Sequence, residues 1–194
     1  MKQKEKIVRI IGITGKSGSG KSTLTQLLSE KLKCNSVNVD KIGHKATSDE
    51  KITKKLCEVF GNRILNSEGK IDRKKLGNIV FSSKDKMDIL TDITWGYMQK
   101  ILDDILKKET GETIILEWAL LPISKYWEQC DTKIIIKAEE KERKNKVMQR
   151  DQISEEYFLK RDAGCIDYAP FKFDYVFEND YRLETMQEIV NAIK

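Results

Sequence analysis

The sequence predicts an α/β domain built on a five-stranded, mostly parallel sheet, and three observations lead there. Apolar runs of strand length alternate with segments whose apolar residues recur at helical spacing along most of the 194 residues. The first run, Ile7-Val8-Arg9-Ile10-Ile11, passes directly into the glycine-rich stretch GITGKSGSGKST, Gly12 to Thr23. A long, almost wholly helical stretch, Lys41 to Gly111, separates the second run from the third.

In chain order, the expected strands are Ile7 to Ile13, Ser36 to Val39, Thr113 to Glu117, Thr132 to Lys137 and Phe173 to Phe177. After the first, Leu24, Leu27, Leu28 and Leu32 predict an amphipathic helix over Ser22 to Leu32 that begins inside the glycine-rich stretch. Ser48 is placed to cap a helix carrying Ile52, Leu56, Val59 and Phe60, and Gly61 stands where a helix end favours left-handed geometry. Asn66-Ser67-Glu68-Gly69 reads as a turn, and Asp72 as the cap of a helix holding Leu76, Ile79 and Val80. A further long helix carries Met87, Leu90, Ile93, Tyr97, Ile101 and Ile105. In the charge-dense helix Glu139 to Arg150, the pairs Glu139/Arg143, Glu140/Lys144 and Glu142/Lys146 have the spacing of surface ion pairs. Ser154, followed by Glu155 and Glu156, starts another helix.

At this length, one domain (1–194) with one good hydrophobic core is expected, 39% of it hydrophobic and 35% charged. No stretch approaches the roughly 18 consecutive apolar residues of a membrane helix. The basic Met1 to Lys6 does not continue as a signal peptide, because Arg9 breaks the apolar run and no small-residue cleavage site follows. A cytoplasmic protein with no membrane partner is expected. Cys34, Cys57, Cys130 and Cys165 lack C-x-x-C spacing and read as free, structural thiols. The net charge of +5 suits an anionic ligand; basic residues interleaved with acidic ones argue against nucleic acid. Oligomeric state has no signature in the sequence.

Gly15-Lys16-Ser17-Gly18-Ser19-Gly20-Lys21-Ser22 fits G-x-x-x-x-G-K-[ST], the pattern of a phosphate-binding loop. Glycines let backbone N–H groups curl around phosphate oxygens, and the following helix contributes its dipole and unsatisfied donors. Here the pattern follows a predicted strand and opens a predicted helix, the context it requires. Lys21 would reach the β- and γ-phosphates of a nucleotide, and Ser22 would ligate Mg²⁺, with Thr23 completing the loop's contacts. Thr113-Ile114-Ile115-Leu116-Glu117 is an apolar strand ending in a carboxylate, so Glu117 is the candidate partner acid for the metal.

Switch GTPases need N-K-x-D, and the only Asn-Lys pair, Asn145-Lys146, lacks the Asp; the L-S-G-G-Q of ABC-type ATPases is absent. A small-molecule kinase remains, or a nucleotide-binding module that does not transfer phosphate. A kinase must also orient an acceptor hydroxyl and take its proton. Val37-Asn38-Val39-Asp40 answers that need as a buried strand next to the phosphate-loop strand, ending in a carboxylate at the edge where α/β ligands bind.

These residues resemble the dephospho-coenzyme A kinase family along nearly the whole chain. Besides the phosphate loop, Asp40 and His44 match the family's second-strand Asp with a His four residues on. Asp72-Arg73-Lys74-Lys75-Leu76-Gly77-Asn78-Ile79-Val80-Phe81 matches its D-R-x-x-L-x-x-x-V-F. Arg143 and Arg150, followed by Asp151, look like its lid arginines, and Phe173 to Asn179 like its late A-D-x-V-x-x-N. The resemblance implies a three-layer P-loop kinase fold with a helical acceptor-binding insertion, 41–111, and a small lid, 139–165. It implies transfer of the γ-phosphoryl of ATP to the 3′-hydroxyl of dephospho-coenzyme A, with Asp40 as base and with His44, Arg73 and the insertion holding the acceptor. Arg143 and Arg150 would close over the phosphates, and Asn179 would lie by the adenine.

Three segments depart from the family pattern. L-N-x-I-x-H-P becomes Leu90-Thr91-Asp92-Ile93-Thr94-Trp95-Gly96. D-x-P-L-L-x-E becomes Glu117-Trp118-Ala119-Leu120-Leu121-Pro122-Ile123, and the lid's usual Gln falls near Cys165. Trp95 suits core packing at its helical spacing, and in the place of the family's His it is also a candidate wall of the acceptor site. Kinases of another hydroxyl acceptor, such as a nucleoside, and non-catalytic nucleotide-binding regulators stay open as alternatives.

Overall fold

The structure, a computed structural model, describes residues 8–193. Met1 to Lys6 and Ile7, the first residue of the expected first strand, lie outside the described residues. Five strands form one sheet: β1 (Arg9–Thr14), β2 (Asn35–Asn38), β3 (Thr113–Glu117), β4 (Thr132–Lys137) and β5 (Tyr175–Glu178). Every pairing is parallel, in the order β2-β3-β1-β4-β5. The helices are α1 (Lys21–Leu32), α2 (Val39–Ala46), α3 (Glu50–Phe60), α4 (Arg73–Val80), α5 (Lys84–Lys108), α6 (Glu140–Asp151), α7 (Glu155–Ala163) and α8 (Leu183–Ala192). None of the described helices is long and apolar enough to cross a membrane.

The chain divides into two compact units. The first holds the described residues up to Asn38, Lys108–Phe158 and those from Cys165 on; the second holds Val39–Lys107 and Leu159–Gly164. In the first unit the three central strands read as nearly continuous apolar runs because both of their faces are covered. On one face Ile11, Ile13, Ile115, Ile134 and Ile136 pack with Leu24 and Leu28 of α1 and with Met186, Ile189 and Val190 of α8. On the other, a Cβ added at Gly12 would meet Cys130 and Leu121. The second unit has its own cluster, made by Ile52, Leu56, Phe60, Ile64, Leu76 and Val80, against which Met87, Leu90, Ile93 and Tyr97 of α5 pack.

β3 and β4 have their expected bounds, and Asp72 caps α4 through Lys74 N and Lys75 N. Four expectations are corrected. Asp49, not Ser48, caps α3, its Oδ1 accepting from Lys51 N and Ile52 N, while Ser48 N is taken by the preceding turn onto Lys45 O. β1 runs on to Thr14, a polar residue that pairs in register with Ile135 and is fully buried. β5 starts at Tyr175 because Asp174 caps it, its Oδ2 accepting from Lys133 N at 2.7 Å. β2 is an exposed edge strand paired with β3, not a buried neighbour of β1. Its ladder stops at Asn38↔Glu117, and the chain enters α2 at the next residue. Asp40 therefore lies in the first turn of a helix and not at a strand end. All four cysteines are free, and burial pushes the Cys130 thiol up to about 12, leaving it protonated and inert at neutral pH.

Candidate active site

The turn from β1 into α1 runs through Gly15 to Gly20, and its carbonyls are tied down one after another. Lys21, 7% exposed, donates from Nζ to Gly15 O at 2.8 Å and to Lys16 O at 3.0 Å. Arg143 donates to Ser17 O at 2.9 Å, the Tyr181 hydroxyl to Gly18 O at 2.8 Å, and Asn179 Nδ2 to Ser19 O at 2.9 Å. A peptide's C=O and the next N–H share a plane and point opposite ways. Fixing the Ser17 and Ser19 carbonyls therefore turns the N–H groups of Gly18 and Gly20 to the other side of the turn. Beyond them α1 opens on Gly20 with no side-chain cap and no acid in its first turn. Uncapped donors at the positive end of a helix dipole favour an anion. Ser19 Oγ, fully buried and without a hydrogen-bond partner in the structure, adds an unsatisfied polar group to the same loop.

Gly15 has no substitute here. Its φ is +143°, and an added Cβ would lie 2.2 Å from the Ile136 carbonyl oxygen, a backbone atom of a central strand. Gly15→Ala is expected to lower stability by about 1–3 kcal/mol and to weaken ATP binding. Gly96→Ala, whose Cβ meets nothing within 4 Å in the middle of α5, is its control and is expected to be neutral or stabilising. Thermal unfolding with and without ATP checks both, and equal midpoints for the two variants would contradict the clash.

Ser22 Oγ donates to Glu117 Oε1 at 2.6 Å, and Glu117 is 3% exposed. Parallel pairing of β3 with β1 sets Glu117 beside Ile13, at the end of the sheet from which the loop leaves. Among the described residues no three His, Cys, Asp or Glu side chains cluster as a metal site. A divalent ion at Ser22 and Glu117 would draw its remaining ligands from water and phosphate oxygens. That is the habit of Mg²⁺, so the pair fits that ion.

The two expected lid arginines differ in setting. Arg143 is 3% exposed, lies 5.8 Å from the Phe158 ring centroid and is held on the loop's Ser17 O. Arg150 is exposed, forks onto Asp151 and reaches Ser17 Oγ at 3.3 Å. The ion-pair spacing of α6 gave no sign of this difference. Val147, fully buried, marks the inward face, and Arg143 stands one turn before it on the same stripe. Lys144 pairs instead with Glu155, and Lys146 lies over the Tyr181 ring. Asn179 is buried, with Nδ2 on Ser19 O and Oδ1 accepting from Tyr181 N. Thr23 is exposed on the first turn of α1. Sequence reading passed over Tyr181, whose one signal is the turn-forming Asn179-Asp180 before it.

In the second unit, Asp40 and His44 stand four residues apart on α2 and so share one face of the helix. His44 and Arg73 line the same open cavity of about 300 Å³, together with Lys45 and Lys70. Neither lysine was singled out from the sequence, because their cationic company is a product of tertiary folding. Trp95 is half-buried on α5 and does not line that cavity.

The chain is similar to known proteins over nearly its whole length. The family model for dephospho-CoA kinase matches residues 9–184. The dephospho-CoA kinase of Fusobacterium nucleatum is 32% identical over 181 residues, 92% of this chain and 93% of that protein. The crystal structure of TT1252 from Thermus thermophilus superposes with a TM-score of 0.77 at 26% identity, covering 96% of each chain. Dephospho-CoA kinase from Campylobacter jejuni does so with a TM-score of 0.62 at 30% identity, covering 95% of this chain and 94% of that one.

Proposed function

This chain belongs to the dephospho-CoA kinase family, and from that premise we propose that it transfers the γ-phosphoryl group of ATP to the 3′-hydroxyl of dephospho-CoA, giving CoA and ADP. The observation that carries the donor half is the loop whose carbonyls are held outward while Lys21 and the Ser22–Glu117 pair stand at its helical end. The acceptor half rests on family membership and on a cavity that gathers His44, Lys45, Lys70 and Arg73. Four basic side chains suit the pyrophosphate bridge of that acceptor.

In this reading the acceptor oxygen bonds to the γ-phosphorus as the bond to the β–γ bridging oxygen breaks. Asp40 takes the hydroxyl proton, and ADP leaves with the bridging oxygen. Charge spreads over the three equatorial oxygens of the transferred group, so catalysis is positioning and neutralisation. Lys21 neutralises from within the loop. Arg143 contributes a fixed charge behind Ser17, and Arg150, at an exposed position, closes over the phosphates. Ser22 and Glu117 would hold Mg²⁺, which supplies further neutralisation when bound. Residues 41–111 serve as the acceptor-binding insertion and 139–165 as the lid, with Asn179 and Thr23 on the nucleotide side.

The test is an acceptor panel. The purified protein is given ATP with dephospho-CoA, with several nucleosides, or with no acceptor, each with and without Mg²⁺, and ADP and product mass are followed. Equal amounts of ADP and CoA, formed only with dephospho-CoA and Mg²⁺, are expected. Turnover on a nucleoside in place of dephospho-CoA would reassign the acceptor. ATP binding with transfer to nothing would make the chain a nucleotide-binding regulator.

A further inference from the structure

Tyr181 has a left-handed backbone, φ +66°. A residue with a Cβ held there is strained relative to an ordinary conformation. The other two non-glycine residues with positive φ among those described, Lys33 and Gln152, end α1 and α6, where that geometry closes a helix. Tyr181 ends no helix; α8 begins just after it. The strain therefore needs another reason, and the side chain supplies one. Its hydroxyl crosses 163 residues of sequence to donate to Gly18 O at 2.8 Å. Its amide donates to Asn179 Oδ1 at 2.9 Å, while the other end of that side chain holds Ser19 O. Lys146 Nζ sits 4.4 Å from the ring centroid, on the face of the ring.

The bond to Gly18 O reaches further than the loop's tip. The same peptide plane carries Ser19 N–H, which donates to Lys16 O at 3.2 Å. Lys16 O also accepts from Lys21 Nζ at 3.0 Å. One continuous series of hydrogen bonds thus runs from the Tyr181 hydroxyl through the Gly18–Ser19 peptide to the carbonyl on which the Lys21 ammonium rests. Turning that peptide would move the seat of the lysine. Burial also pushes the Tyr181 phenol up from its ordinary value, so it remains a donor at any working pH.

We propose that Tyr181 is a positioning residue for phosphoryl transfer, which sets the Gly18–Ser19 peptide and through it the Lys21 ammonium against the phosphates of ATP. The proposal rests on the reading of this loop as the ATP site. Tyr181 touches no reacting atom; it acts on the donor side alone, which separates it from a general structural role.

Two variants test it. Tyr181→Phe removes only the hydroxyl. Tyr181→Gly supplies the residue best suited to the backbone and removes the strut. Both are expected to raise KM for ATP and the ATP dissociation constant about fivefold or more, the worth of one hydrogen bond of roughly average strength, and to lower kcat as Lys21 loses its seat. KM for dephospho-CoA is expected to stay within twofold. ATP binding and kinetics like the unmodified protein's in either variant would overturn the proposal. Equal loss of affinity for ATP and for the acceptor would also overturn it, since that marks general loosening. Failure of the unmodified protein to bind ATP would instead remove the functional reading itself, and this proposal with it.

Discussion

Lys21→Met is expected to lower kcat by about 10²–10³-fold, the loss that follows removal of one preorganised donor aimed at developing charge. The magnitude comes from how completely the side chain is built in. A lysine 7% exposed has given up most of its hydration, and here two of its three donors lie on Gly15 O and Lys16 O. The ammonium is held at the loop before any nucleotide arrives, so little reorganisation is needed when charge shifts in the transition state. Methionine keeps a flexible, unbranched stem of similar reach and removes the charge and the donors together. The effect should fall on kcat and on ATP affinity, with KM for the acceptor little changed. Steady-state kinetics at saturating ATP, with thermal unfolding as the control for folding, check it. A folded variant within tenfold of the original kcat would remove Lys21 from the chemistry.

The donor side was largely legible in the sequence because its signals are local. Gly15 to Ser22 carries its own spacing, and Thr113 to Glu117 and Thr132 to Lys137 are bounded apolar runs, so the loop, its lysine and the Glu117 strand end fell where expected. What failed was set by tertiary pairing. Val37-Asn38-Val39 alternates like a strand, yet its ladder to β3 ends at Asn38, and that one residue moves Asp40 from a strand edge into a helix. The pairs four apart in α6 have the spacing of surface ion pairs; only packing around Val147 turns Arg143 inward. Tyr181 has no periodic signature at all, since a left-handed residue in a turn is fixed by the contacts of its side chain. Local codes were readable from the residues themselves; Arg143 and Asn179, recruited across more than 100 positions of sequence, were legible only through a family resemblance, and Tyr181 not at all.

Asp40→Asn is expected to lower turnover by about 10²–10⁴-fold, the range for loss of a positioned general base, while ATP affinity stays within a few-fold. The placement of Asp40 in the first turn of α2 bears on its role. With no loop between Asn38 and Val39, the strand hands the chain straight to the helix, and Asp40 follows two residues after the end of β2. A carboxylate in a first helical turn stands where the helix dipole and the terminal N–H groups favour an anion. Its face of α2 also carries His44, which lines the cationic cavity, so the proposed base and the proposed acceptor-binding residue share one rigid element. Asparagine preserves the shape and a hydrogen-bond acceptor for the hydroxyl, and loses only the charge and the capacity to take the proton. Asp40→Glu, which keeps both at a longer reach, should recover part of the rate. Single-turnover measurements with saturating dephospho-CoA separate the outcomes. An Asn variant as fast as the original would show that positioning alone drives transfer, whereas a Glu variant faster than Asn would show that the proton acceptor matters in its own right.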